Sequence, residues 1–212
     1  MIKFLFQGDS ITDATRVDED DGGQGSYLFG YGYPNLVAAD FLKNRKGEIE
    51  FINRGVSGDR VVDLYARIKD DIINLKPDAM SILIGVNDVW HELTVNNGVS
   101  AEKYEKIYSM LIEEVKEALP KIKIIILEPF VQNGTGTEAF YDEFRAEVGK
   151  RSEAAQRVAK KYGLTFVPLQ ARFDESAADG DTSYWTVDGV HPAPAGHQLI
   201  KEALSEAIND IL

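Results

Sequence analysis

FLFQGDSITD, residues 4–13, joins an apolar run to an abrupt group of small polar residues. Consecutive apolar residues such as Phe4, Leu5 and Phe6 are typical of a strand that is covered on both faces of a parallel sheet. The run breaks at Gly8, and Asp9 and Ser10 follow directly. A serine in this place is either the N-cap of a helix or the nucleophile of a hydrolase, and the rest of the sequence has to distinguish these roles.

Strand and helix patterns alternate along the whole chain. Apolar runs predict strands at residues 2–6, 49–53, 79–85, 123–127 and 164–169. Residues with helical spacing predict a helix capped by Asp59, one capped by Ser100 and stopped by Pro120, one ended by Gly163, and one that starts at Pro194 and closes the chain. This alternation predicts an α/β fold, a three-layer α/β/α sandwich with a parallel sheet of about five strands.

The composition narrows the classes of partner. The net charge of −12 argues against nucleic acids and anionic membranes as partners, and favours a small-molecule or oligosaccharide ester substrate. The 212 residues contain no cysteine and no Ser/Gly/Pro-rich linker, so we expect one domain over 1–212 without disulfides. No signal peptide or membrane span is recognisable, which favours the cytoplasm, and assembly into a homo-oligomer stays open. The acidic stretch 17–26 is predicted to be a solvated loop.

Polar residues follow the predicted strands at their carboxyl ends, where ligands bind in open parallel sheets. The first strand leads to Ser10, the second to residues 53–59, and the third to Asn87. Near the end of the chain, Asp188 precedes His191 by three residues. Each stretch is weak evidence by itself, but the four together, in this order along the chain, indicate an active site.

These residue types are those that nucleophilic catalysis by serine requires. A serine hydroxyl needs a base to take its proton, and the base needs a third group to fix its tautomer; Ser10, His191 and Asp188 supply the three. The oxyanion that forms needs preorganised donors, for which the Ser10 and Gly58 amides and the Asn87 side chain are candidates. The G-x-S-x-G elbow is absent, which disfavours the hydrolases that use it.

The blocks GDSIT (8–12), NRGVSGD (53–59), GVND (85–88) and DGVHP (188–192), in this order, resemble the SGNH (GDSL-type) hydrolase family. The four namesake residues correspond to Ser10, Gly58, Asn87 and His191, with Asp188 as the orienting carboxylate. The resemblance implies a flavodoxin-like fold and a serine esterase that uses no cofactor. The softer blocks GDSITDATR, GYGY, GVNDVW and HPAPAGH resemble intracellular acetyl-xylan esterases of the family, which implies acetylated xylo-oligosaccharides as substrates.

Other polar and aromatic residues have competing interpretations. Trp90, His91 and Trp185 are candidate substrate contacts, although aromatic residues more often pack in a core. His197, in the first turns of the last helix, is expected to be structural. Ser57 is expected to accept hydrogen bonds from its own turn rather than to attack substrate.

Charged residues near the blocks are also expected to be structural. Asp9 and Asp88 are predicted to bond loop amides, and Arg16 and Arg54 to be solvated rather than to bind substrate. No histidine spacing typical of metal sites occurs, so no metal is expected.

Two other functions stay open beside a small-acyl esterase. A lysophospholipase or thioesterase-like enzyme would use the same residues on longer acyl chains. A catalytically silent carbohydrate-binding protein would keep the fold without turnover, but all three residues of the Ser-His-Asp set are present.

Overall fold

The computed structural model describes residues 1–18 and 21–212. One sheet contains the strands β1 (Ile2–Gly8), β2 (Ile49–Asn53), β3 (Ala79–Leu83), β4 (Lys123–Leu127) and β5 (Thr165–Val167). The order is β2-β1-β3-β4-β5 and every neighbouring pair is parallel. This is the flavodoxin-like order, in which ligands bind where the strand order reverses, here between β1 and β3. All five predicted strands are confirmed.

Helices cover both faces of the sheet, as predicted. In chain order they are α1 (Ser10–Asp13), α2 (Tyr33–Asn44), α3 (Val61–Ala66), α4 (Val86–Val95), α5 (Ala101–Ala118), α6 (Tyr141–Tyr162), α7 (Gln170–Ser176) and α8 (Pro194–Ile211), with a π-helical turn at Lys69–Ile73. Helices α2 and α8 share one apolar cluster with Phe4 and Phe6 of β1. Helices α3, α5 and α6 share a second cluster with Leu5, on the opposite face. Burial on both sides explains why the strands are apolar at consecutive positions.

Most predicted helix ends are confirmed. The Ser100 hydroxyl accepts from the Lys103 amide, Gly163 ends α6 in the left-handed conformation, and Pro194 lies in the first turn of α8. The prediction that Asp59 caps a helix is wrong. The N-cap of α3 is Arg60, because the Asp59 carboxylate turns instead to the Arg67 guanidinium, where it gains a charged partner.

The acidic stretch 17–26 is only partly a solvated loop. The Asp18 carboxylate pairs with both Arg16 and Arg54, and a 3-10 turn begins at Gly25. Glu19 and Asp20 lie outside the described residues. Within the described ranges, no helix combines the length and the apolar character needed to cross a bilayer.

Candidate active site

The turn after β1 places Ser10 at the start of α1. Gly8 has a φ of +156°, and a Cβ there would lie 2.3 Å from the Leu83 carbonyl oxygen, so this close approach to β3 requires glycine. The N-cap of α1 is Asp9, whose side chain accepts from the Ile11 amide at 3.0 Å. Ser10 is therefore not the cap, and its hydroxyl has another partner.

That partner is His191, 181 positions further along the chain. Ser10 Oγ lies 2.9 Å from His191 Nε2, and His191 Nδ1 lies 2.7 Å from Asp188 Oδ2. The other carboxylate oxygen of Asp188 accepts from the amides of Val190 and His191, which fixes its orientation. Because an ionised carboxylate only accepts, these partners assign the proton to Nδ1 and leave Nε2 as the acceptor for the serine hydroxyl.

Asp188 and His191 each stabilise the charged form of the other. The hydrogen bond to Asp188 raises the pKa of His191 above its ordinary value, and this outweighs the opposite effect of burial. Burial acts to raise the pKa of Asp188, but the hydrogen bonds from the His191 ring and from two backbone amides outweigh it and lower that pKa. Asp188 is thus held as an anion beside the imidazole.

The raised pKa of His191 sets the expected pH dependence of activity. Only the neutral imidazole accepts a proton, so kcat/KM should fall as the pH drops through the pKa of His191. Because Asp188 raises that pKa, the acid limb should lie above the pH at which an unperturbed histidine titrates. The measurement is kcat/KM for p-nitrophenyl acetate against pH. A flat profile between about pH 5 and 8 would contradict a histidine base.

Three donors surround the space in front of Ser10. Gly58 has a φ of +86°, which favours glycine, and no atom lies within 4 Å of where its Cβ would be. Among the described residues, neither the Gly58 amide nor the Ser10 amide has a hydrogen-bond acceptor. Asn87 is buried at the start of α4, and its Nδ2 donates one of two protons to the Asp59 carbonyl at 3.1 Å. This set of donors can stabilise an oxyanion.

Asp88 fixes the segment that follows Gly58. Both of its carboxylate oxygens accept from the Val61 amide, at 3.2 and 3.1 Å. Asp9 is also fully buried and binds the Ile11 amide, so both aspartates bind backbone amides as predicted, but these amides lie in the first turns of α1 and α3 rather than in loops. Burial raises the pKa of each carboxyl from 3.8 to about 7.

The raised pKa of Asp88 has a consequence for stability. Its folded-state pKa exceeds the unfolded one, so the folded state binds more protons and the titration of Asp88 lowers stability as pH rises from about 4 to about 7. Asp88→Asn removes this titration while an amide oxygen can still accept from Val61. Relative to the wild type, the variant should gain stability over this range, by at most about 4 kcal/mol at about 1.4 kcal/mol per pKa unit.

Urea unfolding of the wild type and Asp88→Asn at about pH 4.5 and pH 8 measures this gain. Comparing the two proteins at each pH cancels the titration of His197, whose pKa burial lowers to about 4 and which acts in the opposite direction. A difference between the two proteins that does not change with pH would contradict a raised pKa of Asp88.

A pocket of about 410 Å³ opens in front of these groups. It is lined by Ser10, Ser57, Gly58, Asn87, Trp90, His91, Thr94 and His191. Two predicted substrate residues, Trp90 and His91, therefore lie at the pocket, and the Trp90 ring centroid is 5.8 Å from that of His191. A larger groove between α3 and α5, about 650 Å³, is lined by no serine or histidine.

Trp185 is not among the residues that line this pocket, so its role as a substrate contact stays a prediction. Its ring packs against the core cluster of β1 and α8 and against Tyr184, 5.2 Å away between centroids. Its carbonyl accepts from Ala193, which ties it to the segment leading into α8. The side chain is partly buried in this position.

Two further predictions concern Ser57 and His197. The Ser57 hydroxyl donates to the Asp13 carboxylate, so the expectation that it bonds its own turn is wrong: a charged acceptor on α1 lies within reach. His197 is buried, and its Nδ1 accepts from the Tyr33 amide at 3.2 Å, in agreement with a structural role.

The two arginines expected to be solvated are instead paired. Arg16 donates to the Gly55 carbonyl, and Arg54 pairs with Asp18 and Asp71. In residues 1–18 and 21–212, no group of three or more His, Asp or Glu side chains is placed to hold a metal ion.

Sequence reasoning missed Thr94. It lies on α4 four residues after Trp90, and its hydroxyl donates to the Trp90 carbonyl at 2.7 Å. Because residues four apart share one face of a helix, this spacing was a signal that could have added Thr94 to Trp90 and His91.

Comparison with known proteins agrees with this geometry. The model of the GDSL-like Lipase/Acylhydrolase family matches residues 6–199. An acetylxylan esterase of Geobacillus stearothermophilus is 34% identical over 214 residues, covering 97% of this chain and 93% of that protein. The crystal structure of Axe2, an acetylxylan esterase from Geobacillus stearothermophilus, has a TM-score of 0.85 at 34% identity and covers 98% of this chain and 94% of its own.

A second solved structure is similar over the same length. A putative GDSL-like lipase of Parabacteroides merdae has a TM-score of 0.91 at 34% identity, covering 98% of this chain and 95% of its own.

Proposed function

Because the chain belongs to the GDSL-like lipase/acylhydrolase family and is a carboxylic ester hydrolase, we propose that it removes acetyl groups from carbohydrates through a Ser10–His191–Asp188 mechanism. The observation that carries the proposal is the hydrogen-bonded chain from Ser10 Oγ to His191 and on to Asp188, at the wall of the pocket.

The first half of the reaction acylates Ser10. His191 Nε2 takes the hydroxyl proton while Oγ attacks the ester carbon, and Asp188 stabilises the imidazolium that forms. The tetrahedral oxyanion is stabilised by the Ser10 and Gly58 amides and by the Asn87 side chain. When the carbon–oxygen bond to the alcohol breaks, His191 gives its proton to the leaving oxygen.

The second half regenerates the enzyme. Water takes the place of the alcohol, and His191 removes a proton from it as its oxygen attacks the acyl carbon. A second oxyanion forms at the same donors. Its collapse breaks the bond to Ser10 Oγ, which recovers its proton from His191, and the carboxylic acid leaves.

The pocket and the relatives support a small acyl group on a neutral alcohol. The net charge of −12 disfavours anionic substrates, and Trp90 beside His191 offers a ring face of the kind that packs against sugars. The similar protein from Geobacillus stearothermophilus is named an acetylxylan esterase. We therefore favour acetylated xylo-oligosaccharides. The cytoplasmic location stays a prediction.

The test measures two substrate series with the wild type. One is the set of p-nitrophenyl esters from acetate to octanoate, and the other is acetate release from acetylated xylo-oligosaccharides. The highest kcat/KM is expected for acetate, together with release from the sugars. A steep rise in kcat/KM with acyl chain length would instead indicate an enzyme for longer acyl esters. Sugar binding without turnover of any ester would instead support a silent carbohydrate-binding protein.

Asn87→Ala tests the third oxyanion donor. Removal of one such donor lowers kcat by about 100-fold. The same change removes the hydrogen bond to the Asp59 carbonyl, so stability should fall by about 1 kcal/mol. Steady-state kinetics with p-nitrophenyl acetate and urea unfolding separate the two effects. An unaltered kcat would exclude Asn87 from oxyanion stabilisation.

A further inference from the structure

Arg67, the residue that follows α3, joins the ends of two strands through one guanidinium group. Its Nε donates to Asp59 Oδ2 at 2.6 Å, its Nη1 to the Arg54 carbonyl at 2.8 Å, and its Nη2 to the Gly8 carbonyl at 3.3 Å. Nη1 also donates to Asp71 Oδ2 at 3.0 Å. The contacts thus reach the end of β1, the residue after β2, and the loop that follows.

These segments carry separate parts of the active site. Gly8 lies two residues before Ser10, and Asp59 directly follows Gly58. The Asp59 carbonyl is also the acceptor for the Asn87 side chain. A single side chain therefore connects the nucleophile turn with the turn that supplies the Gly58 amide, although Arg67 is not among the residues that line the pocket.

The environment of Arg67 favours a rigid contact. Its side chain is 17% exposed and that of Asp59 is 11% exposed, so the ion pair is screened less than one at the surface. The planar guanidinium presents its donors in a fixed arrangement, whereas a lysine ammonium is a single charge on a flexible stem. A lysine substituted for Arg67 can keep a positive charge near Asp59, but it cannot hold the carbonyls of both Gly8 and Arg54.

The loop before Gly58 has other supports. The Val56 amide donates to the Gly8 carbonyl, Arg16 donates to the Gly55 carbonyl, and Ser57 bonds Asp13. Past Gly58, Arg67 provides the charged contact to the Asp59 side chain. The Asn87 side chain also holds the Asp59 carbonyl and Asp88 holds the Val61 amide, so we expect loss of Arg67 to shift this end of the loop relative to Ser10 rather than to detach it.

We infer that Arg67 is a positioning residue that sets the distance between the Ser10 nucleophile and the Gly58 oxyanion donor. The inference rests on the proposed serine mechanism. A displacement of about 1 Å at a reacting group can cost about 100-fold in rate, even when the mutated residue itself makes no contact with substrate. Because the oxyanion forms only in the transition state, the loss should appear in kcat rather than in KM.

The experiment compares Arg67→Lys and Arg67→Ala with the wild type on p-nitrophenyl acetate. Arg67→Lys should lower kcat by about 10- to 100-fold with KM within about twofold. Guanidinium ion, far below denaturing concentrations, should restore part of the kcat of Arg67→Ala, while sodium chloride at equal ionic strength should not. If Arg67→Ala fails to fold, Arg67→Lys decides.

Ile72→Val is the matched control for stability. Ile72 is fully buried in the π-helical turn beside Asp71 and makes none of these contacts, and its truncation should cost about 1 kcal/mol without changing kcat. A kcat of Arg67→Lys within twofold of the wild type would overturn the inference, as would an equal loss in Ile72→Val. An inactive wild type would instead overturn the proposed serine mechanism, which keeps the two failures distinguishable.

Discussion

Ser10→Ala should lower kcat for p-nitrophenyl acetate by about four orders of magnitude or more. The substitution removes the atom that forms the acyl-enzyme and leaves the imidazole without a serine hydroxyl to activate. The residual rate then depends only on the oxyanion donors and on substrate binding. Ser10 Oγ is the group within 2.9 Å of His191 Nε2. The loss should appear in kcat with folding unchanged, since Asp9 rather than Ser10 caps α1.

Ser57→Ala is the matched control, because Ser57 lines the same pocket. Its hydroxyl bonds the Asp13 carboxylate and not a histidine, so its removal should change kcat by less than about tenfold. Mass spectrometry after mixing with p-nitrophenyl acetate should detect an acetylated wild type and Ser57→Ala variant, but no acetylated Ser10→Ala variant. An acetylated Ser10→Ala variant together with an unmodified Ser57→Ala variant would identify Ser57 as the nucleophile.

Asp188→Asn should lower kcat by about 1,000- to 10,000-fold. The amide that replaces the carboxylate can donate to His191 Nδ1, which places the ring proton on Nε2, where it faces Ser10. The imidazolium of the transition state also loses its counter-charge. Since the hydrogen bond that His191 donates to Asp188 raises the pKa of His191, the acid limb of the residual activity should move to lower pH.

The measurement is kcat/KM against pH for Asp188→Asn and for Asp181→Asn. Asp181 lies in the same segment of the chain, but its carboxylate accepts from Ser183 and from the Tyr184 amide and does not touch His191. Asp181→Asn should keep the rate and the pH profile of the wild type. Near-equal rates in the two variants would remove Asp188 from the mechanism.

The identities of the candidate site residues could be predicted because their motifs are local. Ser10, Gly58 and Asn87 follow three predicted strands, and the carboxyl ends of parallel strands meet at one edge of a sheet. The spacing of Asp188 and His191 lets one turn connect them. Trp185 could not be placed by such reasoning, since the same ring suits a pocket wall or a core.

The sequence by itself determined the layered α/β architecture, the five strands and the residue types that serine chemistry requires. These depend on hydrophobic periodicity and on turns, which are properties of neighbouring residues. Only the tertiary structure decided that Asp9 rather than Ser10 caps α1, that Arg67 reaches both Gly8 and Asp59, and that burial raises the pKa values of Asp9 and Asp88. Contacts between distant segments and the loss of solvent around a charge depend on the packing of the whole fold, which no local pattern encodes.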